Sequence, residues 1–154
     1  IILQNVRKRS KHDHKNKGLG FIFRSFTVLI YGGYKMKKVF KLFFSLPFKG
    51  QTDEYVEREI KRMYVKFLYT HREELYDSDT EELKYEFKFV SNWDYSAPAD
   101  SKNTKANQIG EAIKRMSDCD LVLFHPNWKF AKGCEVEHLM CEIYKIPYVN
   151  LERD

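Results

Sequence analysis

Cysteine is scarce: Cys119, Cys134 and Cys141 are the three in a chain of 154 residues, and no two stand in Cys-x-x-Cys spacing. An odd set without metal-type spacing argues against a disulfide framework and for buried thiols in a reducing, cytoplasmic compartment. Long apolar runs are also missing. The stretch "GLGFIFRSFTVLIYGG" is interrupted by Arg24 and is too short to span a bilayer, so no membrane partner is expected. No complete phosphate-loop pattern occurs, nor any internal repeat or low-complexity segment.

Positive charge is lacking where the chain should fold. The net charge of +5 is a local property, because eight of the 27 basic residues and one of the 22 acidic residues precede Met36. From Met36 onward the balance is 19 basic against 21 acidic residues, which leaves no basic footprint for nucleic acid. "MKKVFKLFFSLP" reads as an ordinary bacterial start followed by a strand, and Gly32-Gly33 can be encoded by a ribosome-binding sequence at a suitable distance before it. Residues 1–35 are therefore expected to be translated upstream leader, and 36–154 the domain. A disordered basic arm and a targeting segment are the competing readings.

The rest of the sequence, 43% hydrophobic and 16% aromatic overall, holds enough apolar material for one core. Strand and helix patterns alternate along it, which predicts a single α/β domain with a mostly parallel sheet flanked by helices. "VFKLFFSLP" is the first strand. A helix from Thr52 to Glu74 should follow, with Val56, Ile60, Met63 and Phe67 inward and Glu57, Arg58, Lys61 and Arg62 in water. "LKYEFKFV" (Leu83 to Val90) alternates as a second strand, and Ser91 to Lys105 is a long loop. Then come a helix near Asn107–Met116, the strand Asp120–Phe124, the loop "HPNWKFAKG", a helix Cys134–Tyr144 and the strand "IPYVNL".

Ligands of open α/β sheets bind beyond the carboxyl ends of the strands, so the loops after strands are the informative ones. "SLPFKGQTDE" offers hydroxyl, ammonium and backbone donors from Ser45, Lys49, Gly50, Gln51 and Thr52 ahead of a helix N-terminus, a set that suits a phosphate or ribose oxygen, with Pro47 a further substrate-binding candidate in the same loop. The plain alternative is a strand-to-helix turn with Thr52 as N-cap. After the third strand, Trp128 could present a flat face to a base and Gly133 allow close backbone approach. Glu137 would point back to the same crevice, whereas Glu135 lies nearer the exposed helix start. For either carboxylate alone, complementing the helix dipole is the commoner role. His125, Cys134 and His138 are a further candidate set, for a metal; a helical Cys/His pair is more often packing, and no metal is expected.

"LFFSLPFKGQTDE", "IGEAIKRMSDCDLVLFHPNW" and "AKGCEVEHLMCEIYKIPYV" together resemble an uncharacterised family of short bacterial and phage proteins in the nucleoside 2-deoxyribosyltransferase-like superfamily. The resemblance covers nearly all of Met36 to Asp154. It implies a flavodoxin-like (Rossmann-like) fold, cleavage or transfer of the N-glycosidic bond of a nucleoside or nucleoside 5′-monophosphate, no cofactor, and a homo-oligomer. Glu137 stands at the place of the superfamily's nucleophilic glutamate. Glu111 is the approximate counterpart of its second acidic residue. The first-strand loop, here Ser45, Lys49, Gly50 and Gln51, would hold the sugar or its 5′-phosphate. Two positions depart from the pattern: Phe43 stands where characterised members often carry a tyrosine, and Leu46 where relatives have the glycine of a Gly-Pro turn. A nucleotide-binding module that has lost turnover is the alternative reading.

Overall fold

The computed structural model describes residues 37–90 and 95–153, together with the backbone of Ile30–Tyr31 and Tyr34–Lys35. Those last two segments are strands β1 and β2, an antiparallel pair. The remainder of the expected leader, and the start of the Ser91–Lys105 loop, lie outside the described residues.

Four parallel strands form the main sheet: β3 (Lys38–Ser45), β4 (Tyr85–Val90), β5 (Leu121–Phe124) and β6 (Tyr148–Asn150), in spatial order β4-β3-β5-β6. Parallel neighbours need crossovers, and helices supply them. Helix α1 (Asp53–Thr70) and the short α2 (Arg72–Leu75) connect β3 to β4, α3 (Thr104–Ser117) connects β4 to β5, and α4 (Lys132–Tyr144) connects β5 to β6. This is an α/β fold with flavodoxin-like strand order, in which the chain first moves to one side of its starting strand and then to the other.

Strand alternation divides the core into two halves. Phe40, Leu42 and Phe44 of β3 pack with Leu121 and Leu123 against Val56, Met63 and Phe67 of α1. Phe43 points the other way, with Val122 and Phe124, against Ala112 and Met116 of α3 and Cys141 of α4. Phe40, Phe43 and Phe124 are fully buried, and removing each such ring from water contributes about 2–3 kcal/mol.

The helix starts follow local chemistry. The Thr52 side chain accepts the Tyr55 N–H at 3.3 Å, with Asp53 and Glu54 in the positive first turn of α1. The Asn103 side chain accepts the Ala106 N–H at 3.0 Å, which starts α3 three residues earlier than apolar periodicity alone indicates. The expected helix to Glu74 is interrupted at His71, a buried residue whose backbone leaves helical geometry at φ −115°, ψ 27°. The second strand begins at Tyr85 rather than Leu83, because Leu83 instead bridges antiparallel to Tyr76. Among the described residues, no helix is long and apolar enough to cross a membrane.

Candidate functional site

Between β3 and β5 the strand order reverses, and open α/β sheets bind their ligands beyond the carboxyl ends of the strands at such a point. Ser45 closes β3, and its register partner Phe124 closes β5. Ser45 is the third of Lys41, Phe43 and Ser45 on one strand face, which turns its hydroxyl toward α4. There it donates to Oε2 of Glu137 at 2.5 Å. Both groups are buried, Ser45 at 1% and Glu137 at 6% exposure.

Glu137 occupies a position on α4 where an apolar residue would be ordinary. Cys134, three residues earlier, and Cys141, four later, are buried on the same stripe. Loss of water pushes the Glu137 carboxyl up to about 7, and the Ser45 hydrogen bond pulls the other way. Around it the thiols stay protonated, since burial and the nearby Glu137 push Cys134 up to about 12 and Cys141 likewise. The result is a carboxylate that changes charge near neutrality, at the switch point of the sheet. Glu135 is exposed in the first turn of α4, as a dipole-complementing residue should be.

The other residues read from the sequence fall in different surroundings. Phe43 is wholly buried among α3 and α4 side chains. Pro47 is half-buried, and Lys49, Gly50 and Gln51 are exposed in a tight turn closed by Gln51 N–H on the Phe48 carbonyl at 2.9 Å. Gly50 holds φ at +77°, the left-handed value that glycine adopts most readily at the third position of such a turn. Gly133, the second residue of α4, is exposed, and a Cβ there would meet only Ile109 Cδ1 at 3.8 Å. Glu111 is half-buried on α3 and takes Arg115 Nε at 3.0 Å.

Trp128 lies in a 3-10 turn (Trp128–Phe130), and one of its faces is already covered. The His138 ring stacks on it at 4.0 Å between centroids and 7° between planes, and Lys129 Nζ lies 5.5 Å from the ring centroid. His138 also has Asn150 Nδ2 at 3.3 Å from its Nε2. His125, the third member of the candidate metal set, instead faces Glu59. Among the described residues, no three His, Cys, Asp or Glu side chains converge as metal ligands would.

Sequence reasoning missed Glu59. It is 7% exposed on α1, at the place in the apolar stripe assigned to Ile60, which is half-buried instead. One oxygen of Glu59 accepts from Arg62 Nη1 at 3.1 Å, and the other lies 3.5 Å from His125 Nε2. A signal was present: Val56, Glu59, Met63 and Phe67 are spaced three, four and four, as a buried helix stripe is.

Compared with protein-family models, with curated proteins and with solved structures, the chain matches none. What the site can do therefore rests on its chemistry. A buried carboxylate that ionises near neutrality, held by one hydroxyl at the carboxyl end of β3, can stabilise a developing positive charge, capture it covalently or carry a proton.

Proposed function

We propose that this chain is a nucleoside 2-deoxyribosyltransferase-like enzyme that cleaves or transfers the N-glycosidic bond of a nucleoside or nucleoside 5′-monophosphate, with Glu137 as nucleophile. The observation that carries the reading is the buried Glu137 carboxyl at the β3/β5 switch point, oriented by the Ser45 hydroxyl at 2.5 Å. Departure of the base leaves positive character at C1′, and a carboxylate beneath the ring stabilises it or bonds to it, as in retaining glycoside hydrolysis. Water then gives hydrolysis and a second base gives transfer. Loss of Glu137's proton is required before it can act in this way, so base release should rise with pH through about 7. Lys49, Gly50 and Gln51 would take the sugar or its 5′-phosphate from the turn that follows β3.

The test is incubation of the protein with a panel of nucleosides and 5′-monophosphates, with free base followed by chromatography. Glu137→Gln keeps size and hydrogen bonding but removes the charge, so release should fall by at least about a hundredfold with little change in ligand affinity. Near-full activity in that variant overturns the catalytic role. The second reading is a nucleotide-binding module without turnover. Two observations favour it: Phe43 brings no hydroxyl to the site, and Glu111 is paired with Arg115. Thermal stabilisation by a panel member without release of base would select it.

A further inference from the structure

Burying a carboxylate is costly unless partners surround it, so Glu59 on the core side of α1 calls for a reason. Its Oε1 accepts from Arg62 at 3.1 Å, with Arg58 Nε at 3.8 Å. Its Oε2 is left toward His125, at 3.5 Å from Nε2. The other ring nitrogen of His125, Nδ1, accepts the Asn127 N–H at 3.0 Å. A neutral imidazole with Nδ1 accepting carries its proton on Nε2, which therefore points at Glu59. Burial favours that neutral form, and the charges of Arg62 and Arg153 reinforce it against the opposing pull of Glu59.

Both ring nitrogens of His125 are thus engaged, which leaves neither directed at a substrate. The backbone of the same residue does something else. His125 N–H donates to the Ser45 carbonyl at 2.9 Å, at the point where β5 ends beside β3. On the opposite face of the sheet, the Ser45 hydroxyl meets Glu137. A continuous set of contacts therefore runs from Arg62 and Glu59 on the α1 side, through the His125 ring and backbone, to Ser45 and Glu137 on the α4 side.

We propose that Glu59 and His125 are a positioning pair, which locks the end of β5 so that the Ser45 peptide, and with it the Ser45 hydroxyl, stays aimed at Glu137. The pair acts through Ser45 and touches no reacting atom. Its purpose rests on the proposed role of Glu137, but its test needs no substrate, so the two readings can fail separately.

The experiment is a titration of the Glu137 carboxyl, followed by carbon-13 NMR of the full chain labelled at glutamate, in the parent and in Glu59→Ala, His125→Ala and His125→Gln. The thiols of Cys134 and Cys141 beside Glu137 stay neutral through the range. Ser45's hydrogen bond favours the charged carboxylate, so loosening it should raise the Glu137 midpoint by at least about half a pH unit in Glu59→Ala and His125→Ala. Direction discriminates here. Removing the negative charge of Glu59 would by simple electrostatics lower the midpoint, whereas lost positioning raises it. His125→Gln, whose amide N–H can replace Nε2–H, should restore the parent midpoint. An unmoved or lowered midpoint in folded Glu59→Ala or His125→Ala overturns the proposal, as does a His125→Gln midpoint displaced as far as that of His125→Ala. Should Glu59→Ala fail to fold, the two His125 variants decide alone.

Discussion

Glu59 on α1 and Glu137 on α4 occupy equivalent places in their helices and live in opposite electrostatic worlds. Each has a buried residue three positions before it and four after: Val56 and Met63 in one case, Cys134 and Cys141 in the other. Glu59 is matched by the charges of Arg62 and Arg58 and faced by the Nε2–H of the neutral His125 ring. Glu137 has a hydroxyl and two thiols for surroundings, and its carboxyl is pushed up to about 7. A buried carboxylate with countercharges can hold a structure together. One without them resists ionisation, and keeping it makes sense where its charge is used.

The sharpest way to break this comparison is stability against pH. A folded-state value raised from 4.5 to about 7 means that Glu137's contribution is fully favourable below 4.5 and is lost as pH rises through 7. At about pH 8 the folded carboxylate should therefore cost about 3 kcal/mol, and Glu137→Gln should stabilise the protein by about 2–3 kcal/mol there and by little near pH 4. Denaturant titrations at the two pH values check this. A variant no more stable than the parent at pH 8 would mean that Glu137 ionises without penalty.

Glu59→Gln should carry the opposite sign, a loss of about 1–2 kcal/mol, since the charge-assisted contacts to Arg62 and His125 are weakened while the exposed arginines turn to water. His125 itself has a value lowered by burial from 6.5, so its contribution is fully present above 6.5 and is lost as pH falls toward the folded value. The two sides of the sheet thus lose stability in opposite directions of pH. Gain of stability in Glu59→Gln would collapse the distinction between the two carboxylates.

Ser45→Ala tests the remaining support of Glu137. Without the hydroxyl the carboxyl should titrate higher, and at pH 7 base release should fall by about tenfold, recovering in part as pH is raised. A pH-independent loss would assign Ser45 another role. The smallest effect belongs to Glu135→Gln, exposed on the same helix, where stability should change by less than about 0.5 kcal/mol and turnover only slightly.

Fold class was legible because both periodicities are strong. Alternation in "YEFKFV", the short buried run "LVLF", and the four-, three- and four-residue spacing of Val56, Ile60, Met63 and Phe67 follow from geometry that every strand and helix shares. The helix break at His71 was not legible, since no proline or glycine marks it; at the break stands a buried ring whose Nδ1 lies 3.1 Å from the Phe67 carbonyl. Trp128 shows the same limit. An indole in a loop after a strand looks available, until His138, ten residues later on α4, covers one face.

The antiparallel β1–β2 pair was not legible, but from β3 onward the sequence by itself determined the alternation of strands with helices and the placing of candidate residues after β3 and β5. These depend on neighbours within a turn or two along the chain. Which carboxylate stands alone was decided only by tertiary structure. Ser45 and Glu137 are 92 positions apart, and Glu59 and His125 meet only because α1 and β5 pack on one sheet. Charge compensation and loss of water belong to three-dimensional neighbourhoods, and these set whether a glutamate is a brace or a group poised to titrate.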